Sequence, residues 1–330
     1  MQAAYLANVT PGQARVLADV NAAGLDALRE YLARGDAVAF LGAGASAPLY
    51  PMWSELIAEL VDAAAHRLNP GQAQTCRALA GQSPEEVVEI VRRQLSDAEF
   101  REVLRATFRV RTDRESGRTW TPVHELVCRY AFKGVVTTSY DPGIVDARSR
   151  ARVRATVTGF ASYTDDDAMD RWRTGDVFGD GELPVLFAHG RGDQPDRIVL
   201  ATPEYRQAYE GKLSHVMARL VDAGHLVWIG FSFADQRIAA ILREVAQACG
   251  TRASPGAAAR HVAIMPGIRT RGNDPGILAQ RAELATGLRG ALPRSPWRSL
   301  RAAGSAERSG GLPIRACRGP AAPGGHRARR

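Results

Sequence analysis

The chain has 330 residues, 45% hydrophobic and 24% charged, the composition of a globular protein with no need of a disulfide or metal staple. No apolar run approaches the roughly 20 residues that span a bilayer. Met1–Thr10 lacks the basic start and apolar core of a secretory signal, so a cytoplasmic protein with no membrane partner is expected. The net charge of +8 sits at one end: residues 287–330 carry ten Arg, no Lys and one acid (Glu307), while residues 1–286 hold 33 basic and 34 acidic side chains. Any contact with nucleic acid is therefore expected only through that tail.

Pro11–Arg34 has helical periodicity and ends at Gly35, a 1–34 lead. Ala37–Leu41 is a short apolar run that suits a strand buried on both faces. Trp53–Ala64 is the next helix, with Trp53, Leu56, Ile57, Leu60, Val61 and Ala64 on one face. Residues 65–132 are mostly helical, including Pro84–Val110 and Pro122–Phe132. That block exceeds a simple crossover and is predicted to be an inserted helical module. Gly134–Thr138 is a second strand, Arg152–Thr158 a third, Pro184–Ala188 a fourth, His225–Gly230 a fifth and His261–Met265 a sixth. Helices over Pro203–Val221 and Asp235–Cys249 separate the later strands. Apolar strands alternating with helices predict an α/β fold, a doubly wound parallel sheet of Rossmann-like type over 35–286. There is no internal repeat.

The tail 287–330 is rich in Arg, Gly, Ala and Pro, a composition that buries too little apolar surface to offset its ordering entropy. It reads as disordered, as a basic arm, or as an out-of-frame translation of a GC-rich gene, and the total absence of Lys favours the last. It offers no closing strand to the sheet. The four cysteines (Cys76, Cys128, Cys249 and Cys317) are far apart, without the close pairs of a structural zinc site, and no metal is expected.

Four segments fall at strand ends, the edge where open α/β sheets bind ligands. Gly42-Ala43-Gly44-Ala45-Ser46-Ala47 follows the first strand and precedes a helix. There Gly42 suits a tight turn, and Gly44 suits close approach of a pyrophosphate to backbone N–H groups. Thr137-Thr138-Ser139-Tyr140-Asp141 ends the second strand with short polar side chains. They fit ribose hydroxyls or a carboxamide, or equally a cap for the helix after Pro142. His189-Gly190 ends the fourth strand, where an imidazole can act as a general base or simply be hydrogen-bonded in place. Gly230-Phe231-Ser232-Phe233-Ala234-Asp235 ends the fifth, either to meet a nucleotide or to cap a helix.

In this order the four segments resemble the sirtuin family, especially its bacterial branch in antiviral defence. Pro51-Met52-Trp53 and the run Arg197–Thr202 with Tyr205 add to the likeness, which covers roughly 35–286. The resemblance implies that NAD is bound as substrate across the strand ends. Gly42, Ala43, Gly44 and Ser46 would hold its diphosphate, Gly230 and Ser232 its adenosine side, and Asp141 its nicotinamide region, with Thr138 also among the residues that bind it. His189 matches the catalytic histidine, and Ser139 stands where the family has Asn. A serine keeps one hydrogen bond but not the reach of the amide. The implied activity is an NAD glycohydrolase that releases nicotinamide and ADP-ribose in antiphage defence, working as a homo-oligomer or with a partner sensor protein. Without paired cysteines for a zinc module, protein deacetylation is disfavoured. The alternatives are a catalytically impaired NAD or ADP-ribose binding module or regulatory subunit and, lower, a Rossmann oxidoreductase. For that last class no convincing acid ends a second strand about 20 residues on, though Glu55 and Glu59 lie nearby on the helix.

Overall fold

A computed structural model describes residues 11–150, 160–178, 183–231, 238, 240–241, 261–265 and 298–301. Its centre is a seven-stranded sheet in the order β3-β4-β2-β1-β5-β6-β7. The strands are β1 (Ala37–Leu41), β2 (Gly134–Thr137), β3 (Phe160–Ser162), β4 (Val185–Phe187), β5 (His225–Ile229), β6 (Val262–Met265) and β7 (Arg298–Arg301). Every neighbouring pair is parallel, which gives the predicted α/β, Rossmann-like sheet.

The continuous apolar runs are explained by what lies on each side of the sheet. Successive side chains of a strand face opposite ways. Val38 and Phe40 of β1 pack with Val136, Leu186 and Trp228 on one face. Ala39 and Leu41 pack with Val135, Val185 and Phe187 on the other. The first face is covered by α8 (Asp166–Thr174), α9 (Thr202–Tyr209) and α10 (Lys212–Ala223), through residues such as Trp172, Tyr205 and Met217. The second is covered by α6 (Pro122–Arg129) and α7 (Gly143–Arg150), through Val127, Ile144 and Ala147. Burying the aromatic and aliphatic side chains of both faces contributes about 1.5–3 kcal/mol each.

Between β1 and β2 run α2 (Trp53–Ala64), α3 (Pro70–Leu79), α4 (Pro84–Gln94) and α5 (Asp97–Thr107), followed by α6. They share a core of their own, in which Leu56, Leu60, Val87, Val91 and Leu104 meet Tyr140 and Leu200. The single helix expected over Pro84–Val110 is two helices. Leu95 is extended, and Ser96 caps α5 by accepting from the Glu99 amide at 3.3 Å while Glu99 accepts from the Ser96 amide at 2.8 Å. Such a reciprocal box marks a new N-terminus more strongly than periodicity marks continuity. Likewise Pro203–Val221 divides at Gly211, the N-cap of α10.

The third strand is Phe160–Ser162, and the Arg152–Thr158 run read as that strand lies outside the described residues. The predicted Asp235–Cys249 helix also falls almost wholly outside them. The sheet does have a closing strand, contrary to the expectation from tail composition: Arg298–Arg301 pairs with Val262–Met265. Backbone pairing on an existing edge does not require an apolar side-chain pattern. α1 (Pro11–Arg34) precedes β1 and contributes Tyr31 to a small cluster with Val227 and Val262. Among the described residues no helix is long and apolar enough to cross a membrane.

Candidate functional site

Because all strands run parallel, their carboxyl ends share one edge. Across it the segments fall in the spatial sequence His189 (after β4), Thr138–Asp141 (after β2), the glycine loop (after β1) and Gly230 (after β5). The chain passes from β1 to one side of the sheet and returns to β5 on the other, so the glycine loop and Gly230 flank the topological switch point, where such sheets form a ligand crevice.

At the switch point the two loops interlock through backbone. The Gly42 amide donates to Ile229 O at 3.0 Å and the Gly44 amide to Gly230 O at 2.9 Å. Gly230 has φ +65°, and a Cβ on it would overlap the Ala45 amide nitrogen. A Cβ on Gly44 would lie 2.8 Å from Gly230 O, so the space its missing side chain leaves is filled by Gly230 rather than held open for a pyrophosphate. The amides of Ala45 and Ser46 are also used, on Gly42 O and Ala43 O. The amides of Gly42, Gly44, Ala45 and Ser46 are thus engaged within the protein, and the glycines are explained by loop packing.

Next to this seam is a buried polar cluster that includes a residue missed by the sequence reading, His124 of α6. It is 2% exposed. Its Nδ1 receives the fixed Thr121 N–H at 3.3 Å, so Nδ1 is the acceptor and Nε2 carries the proton. Nε2 lies 3.3 Å from the Ser46 hydroxyl, which therefore accepts. The Ser46 hydroxyl hydrogen has no acceptor among the described residues, although Ser46 is 1% exposed. Burial holds the His124 ring below its ordinary pKa, against the opposing pull of Asp141 and Asp146. The only sequence signal for this residue was its helical position three residues after the N-cap Thr121, whose own hydroxyl donates to Ala45 O at 2.7 Å.

Ser139 and Asp141 are buried together, and the Ser139 hydroxyl donates to Asp141 Oδ2. Asp141 Oδ1 accepts from the Gly143 amide at 2.9 Å, so the carboxylate also anchors the start of α7. Thr138 is partly exposed and Ala43 likewise, both next to the cluster in sequence. Tyr140 turns away and donates to Val199 O at 2.7 Å.

His189 is 3% exposed. Gly190, at φ +81°, lets the chain turn beneath residues 197–199, and a Cβ there would overlap Arg197 O. The Val199 amide donates to His189 O at 2.8 Å. The His189 ring has its Nε2 2.7 Å from the Tyr209 hydroxyl and meets Tyr205 edge-on.

Gly42, Gly44, Ser46, Ser139, Asp141, His189 and Gly230 are therefore all placed on one sheet edge, while Ser232 lies outside the described residues. The edge is closed. A groove of about 320 Å³ following the glycine loop in sequence is lined by Pro48, Tyr50, Pro51, Glu55, Ala58, Glu59 and Arg111, not by the buried cluster. Burial pushes the Tyr50 phenol up to about 12. Glu55 accepts from the Met52 amide at 2.7 Å and Glu59 from Thr107 at 2.6 Å, and both acids lie on α2 rather than at the end of a strand. Among the described residues no group of three or more His, Cys, Asp or Glu is placed to hold a metal. Cys76 and Cys128 are buried and free.

Residues 133–283 match the family model of the SIR2-like domain. The match starts just before β2 and takes in Ser139, Asp141, His189, Gly230 and Ser232, leaving the glycine loop outside it. The comparison with curated proteins gave no match.

Proposed function

Since the chain is a sirtuin-like, NAD-binding protein through its SIR2-like domain, we propose that it is an NAD glycohydrolase. It would hydrolyse the bond between nicotinamide and its ribose, so that NAD and water give nicotinamide, ADP-ribose and a proton. The observation that supports this reading is the gathering of His189, Ser139, Asp141 and Ser46 on one edge of the sheet, at and beside the switch point.

The residues present fit a dinucleotide through side chains more than through the glycine-loop amides. The buried Ser46 hydroxyl has a hydrogen to give to an anion, and Thr138 adds a partly exposed hydroxyl. Asp141, with Ser139 held against it, would face the positive nicotinamide ring, where a carboxylate is favourable. His189 would take a proton from a ribose hydroxyl or from the attacking water, a role worth about 10²–10⁴ in rate. Because Ser46, Ser139, Asp141 and His189 are all buried, substrate binding would accompany an opening of this edge. In this reading the opening is set by self-association or by a partner sensor protein, and the consequence is depletion of NAD in antiphage defence.

A second reading rests on Ser139. Its hydroxyl already donates to Asp141, which leaves only lone pairs to orient a ribose or water. A chain that binds NAD without cleaving it is the outcome if that contact is indispensable. Nicotinamide release by the full chain, beside Ser139→Asn and His189→Ala, tests both. Release by the wild type that His189→Ala abolishes supports the hydrolase. Binding without release, restored by Ser139→Asn, selects the binding module. No binding and no release sinks both.

A further inference from the structure

The glycine loop Gly42–Ala47 carries one polar side chain, Ser46, and its hydroxyl meets a histidine from another element. His124 of α6 places Nε2 3.3 Å from the Ser46 oxygen. Both residues are buried, Ser46 1% and His124 2% exposed. The far side of the ring is fixed at the start of α6, where the Thr121 amide points at Nδ1 from 3.3 Å and the Thr121 hydroxyl donates to Ala45 O at 2.7 Å. Gly143 lies against the ring edge: a Cβ there would be 2.5 Å from His124 Cε1 and 2.9 Å from Asp141 Oδ1. The imidazole is thus packed among the glycine loop, the cap of α6 and the start of α7.

These contacts decide where each proton is. A backbone amide can only donate, so Nδ1 accepts and the neutral ring carries its hydrogen on Nε2. A protonated ring would set a second N–H against the Thr121 amide, and burial disfavours that charge as well. The Ser46 oxygen accordingly accepts from His124, and its own hydrogen must turn to another atom. Among the described residues none is placed to take it. The same direction excludes Ser46 as an activated nucleophile, because Nε2 has no lone pair with which to take the serine proton. What remains for this buried hydroxyl is to donate to an acceptor that arrives with a ligand.

We propose that His124 is a positioning residue of the nucleotide site, its Nε2–H holding the Ser46 oxygen so that the serine hydrogen is presented to an anionic oxygen of a bound diphosphate. The proposal rests on the NAD-binding reading of this edge and stands whether or not the bound NAD is cleaved. It brings α6 into a site whose sequence segments all follow strands. A serine rotor held in its working direction before the ligand arrives lowers the ordering cost of binding, which matters here because the amides of Gly42, Gly44, Ala45 and Ser46 are engaged within the protein.

The test is calorimetric binding of ADP-ribose to the full chain and its variants. His124→Gln keeps an N–H at the Nε2 position without an acceptor at Nδ1, whereas His124→Asn puts an acceptor near Nδ1 and ends short of Ser46. Ser46→Ala and His124→Asn should each weaken binding about five- to tenfold, the worth of one hydrogen bond, and His124→Gln should stay within about twofold of the wild type. In the Ser46→Ala background, His124→Asn should add less than about twofold. A ring that merely caps α6 predicts the reverse order, with Asn the better substitute. That order, full additivity with Ser46→Ala, or unchanged affinity in Ser46→Ala would overturn the proposal. Nitrogen signals of ¹⁵N-labelled histidine in the wild type, assigned by their loss in His124→Gln, decide the tautomer without ligand: a protonated Nε2 is expected, and a bare Nε2 overturns the proposal. Wild-type protein that binds neither ADP-ribose nor NAD would remove the NAD-binding reading itself, and the positioning role with it.

Discussion

The two ends of the strand-edge row are held by different means. At β1 and β5 the contact is backbone on backbone: Gly42 and Gly44 donate to Ile229 and Gly230, and no side-chain atom fits between them. At β4 the contact is side chain on side chain, an imidazole against two phenols. The first end is specified by atoms that are missing, and it should be indifferent to pH and intolerant of any added carbon. The second is specified by one oxygen and one nitrogen, and it should tolerate changes of packing better than changes of proton inventory.

The sharpest way to separate the ends is to strike each where it is vulnerable. His189→Ala should lower nicotinamide release by roughly 10³ while leaving the melting temperature within a few degrees. A comparable loss of Tm would show that the histidine is chiefly structural. Gly230→Ala should do the reverse of a clean catalytic lesion. A φ of +65° and the overlap with Ala45 predict a loss of roughly 3 kcal/mol, read as a fall in Tm or in soluble yield. A Gly230→Ala protein as stable as the wild type would break the interlock argument.

His124 lies between the two ends, and it supplies a pH dependence. Its folded-state pKa is depressed by burial, so the unfolded chain binds the extra proton first. The stability it confers is present above the ordinary histidine value near 6.5 and is lost as pH falls toward the folded pKa. Thermal melts between pH 8 and pH 5 should show Tm falling on the acid side, and His124→Asn should flatten that slope. The same variant should be less stable at neutral pH by about 1–3 kcal/mol, because it disturbs the buried partners Thr121 and Ser46. A slope that is identical in both proteins would remove His124 from the account. Ser139→Ala should cost about 1.5–3 kcal/mol for the hydrogen bond it removes from the buried Asp141 carboxylate, measured by denaturant unfolding.

The difference between the two ends also explains what could be read from the sequence. β1, β2 and β4 were readable because each is buried along its whole length, and AVAFL or GVVT leaves no other place to go. The strand-end motifs were readable because glycine and short polar residues interrupt those runs abruptly. The physical role of Gly44 was not: sequence shows that a Cβ is excluded but not what excludes it, and the answer lies 186 residues away in Gly230. His124 and Tyr209 were missed for a related reason. Both sit on helices with ordinary amphipathic patterns, and their partners Ser46 and His189 come from other elements. The break at Ser96 was written in the local sequence as Ser-x-x-Glu, but the surrounding helical periodicity masked it. β7 had no local signal, since its place depends on the edge that β6 offers.

The backbone seam at β1 and β5 has a consequence for watching this protein work. The amide hydrogens of Gly42 and Gly44, held on the carbonyls of Ile229 and Gly230, exchange with solvent only when the two loops part. They form a built-in clock for the opening of the sheet edge. Their deuterium uptake would time that motion in the resting protein, and its change on adding NAD would report whether the nucleotide spreads the seam or clamps it.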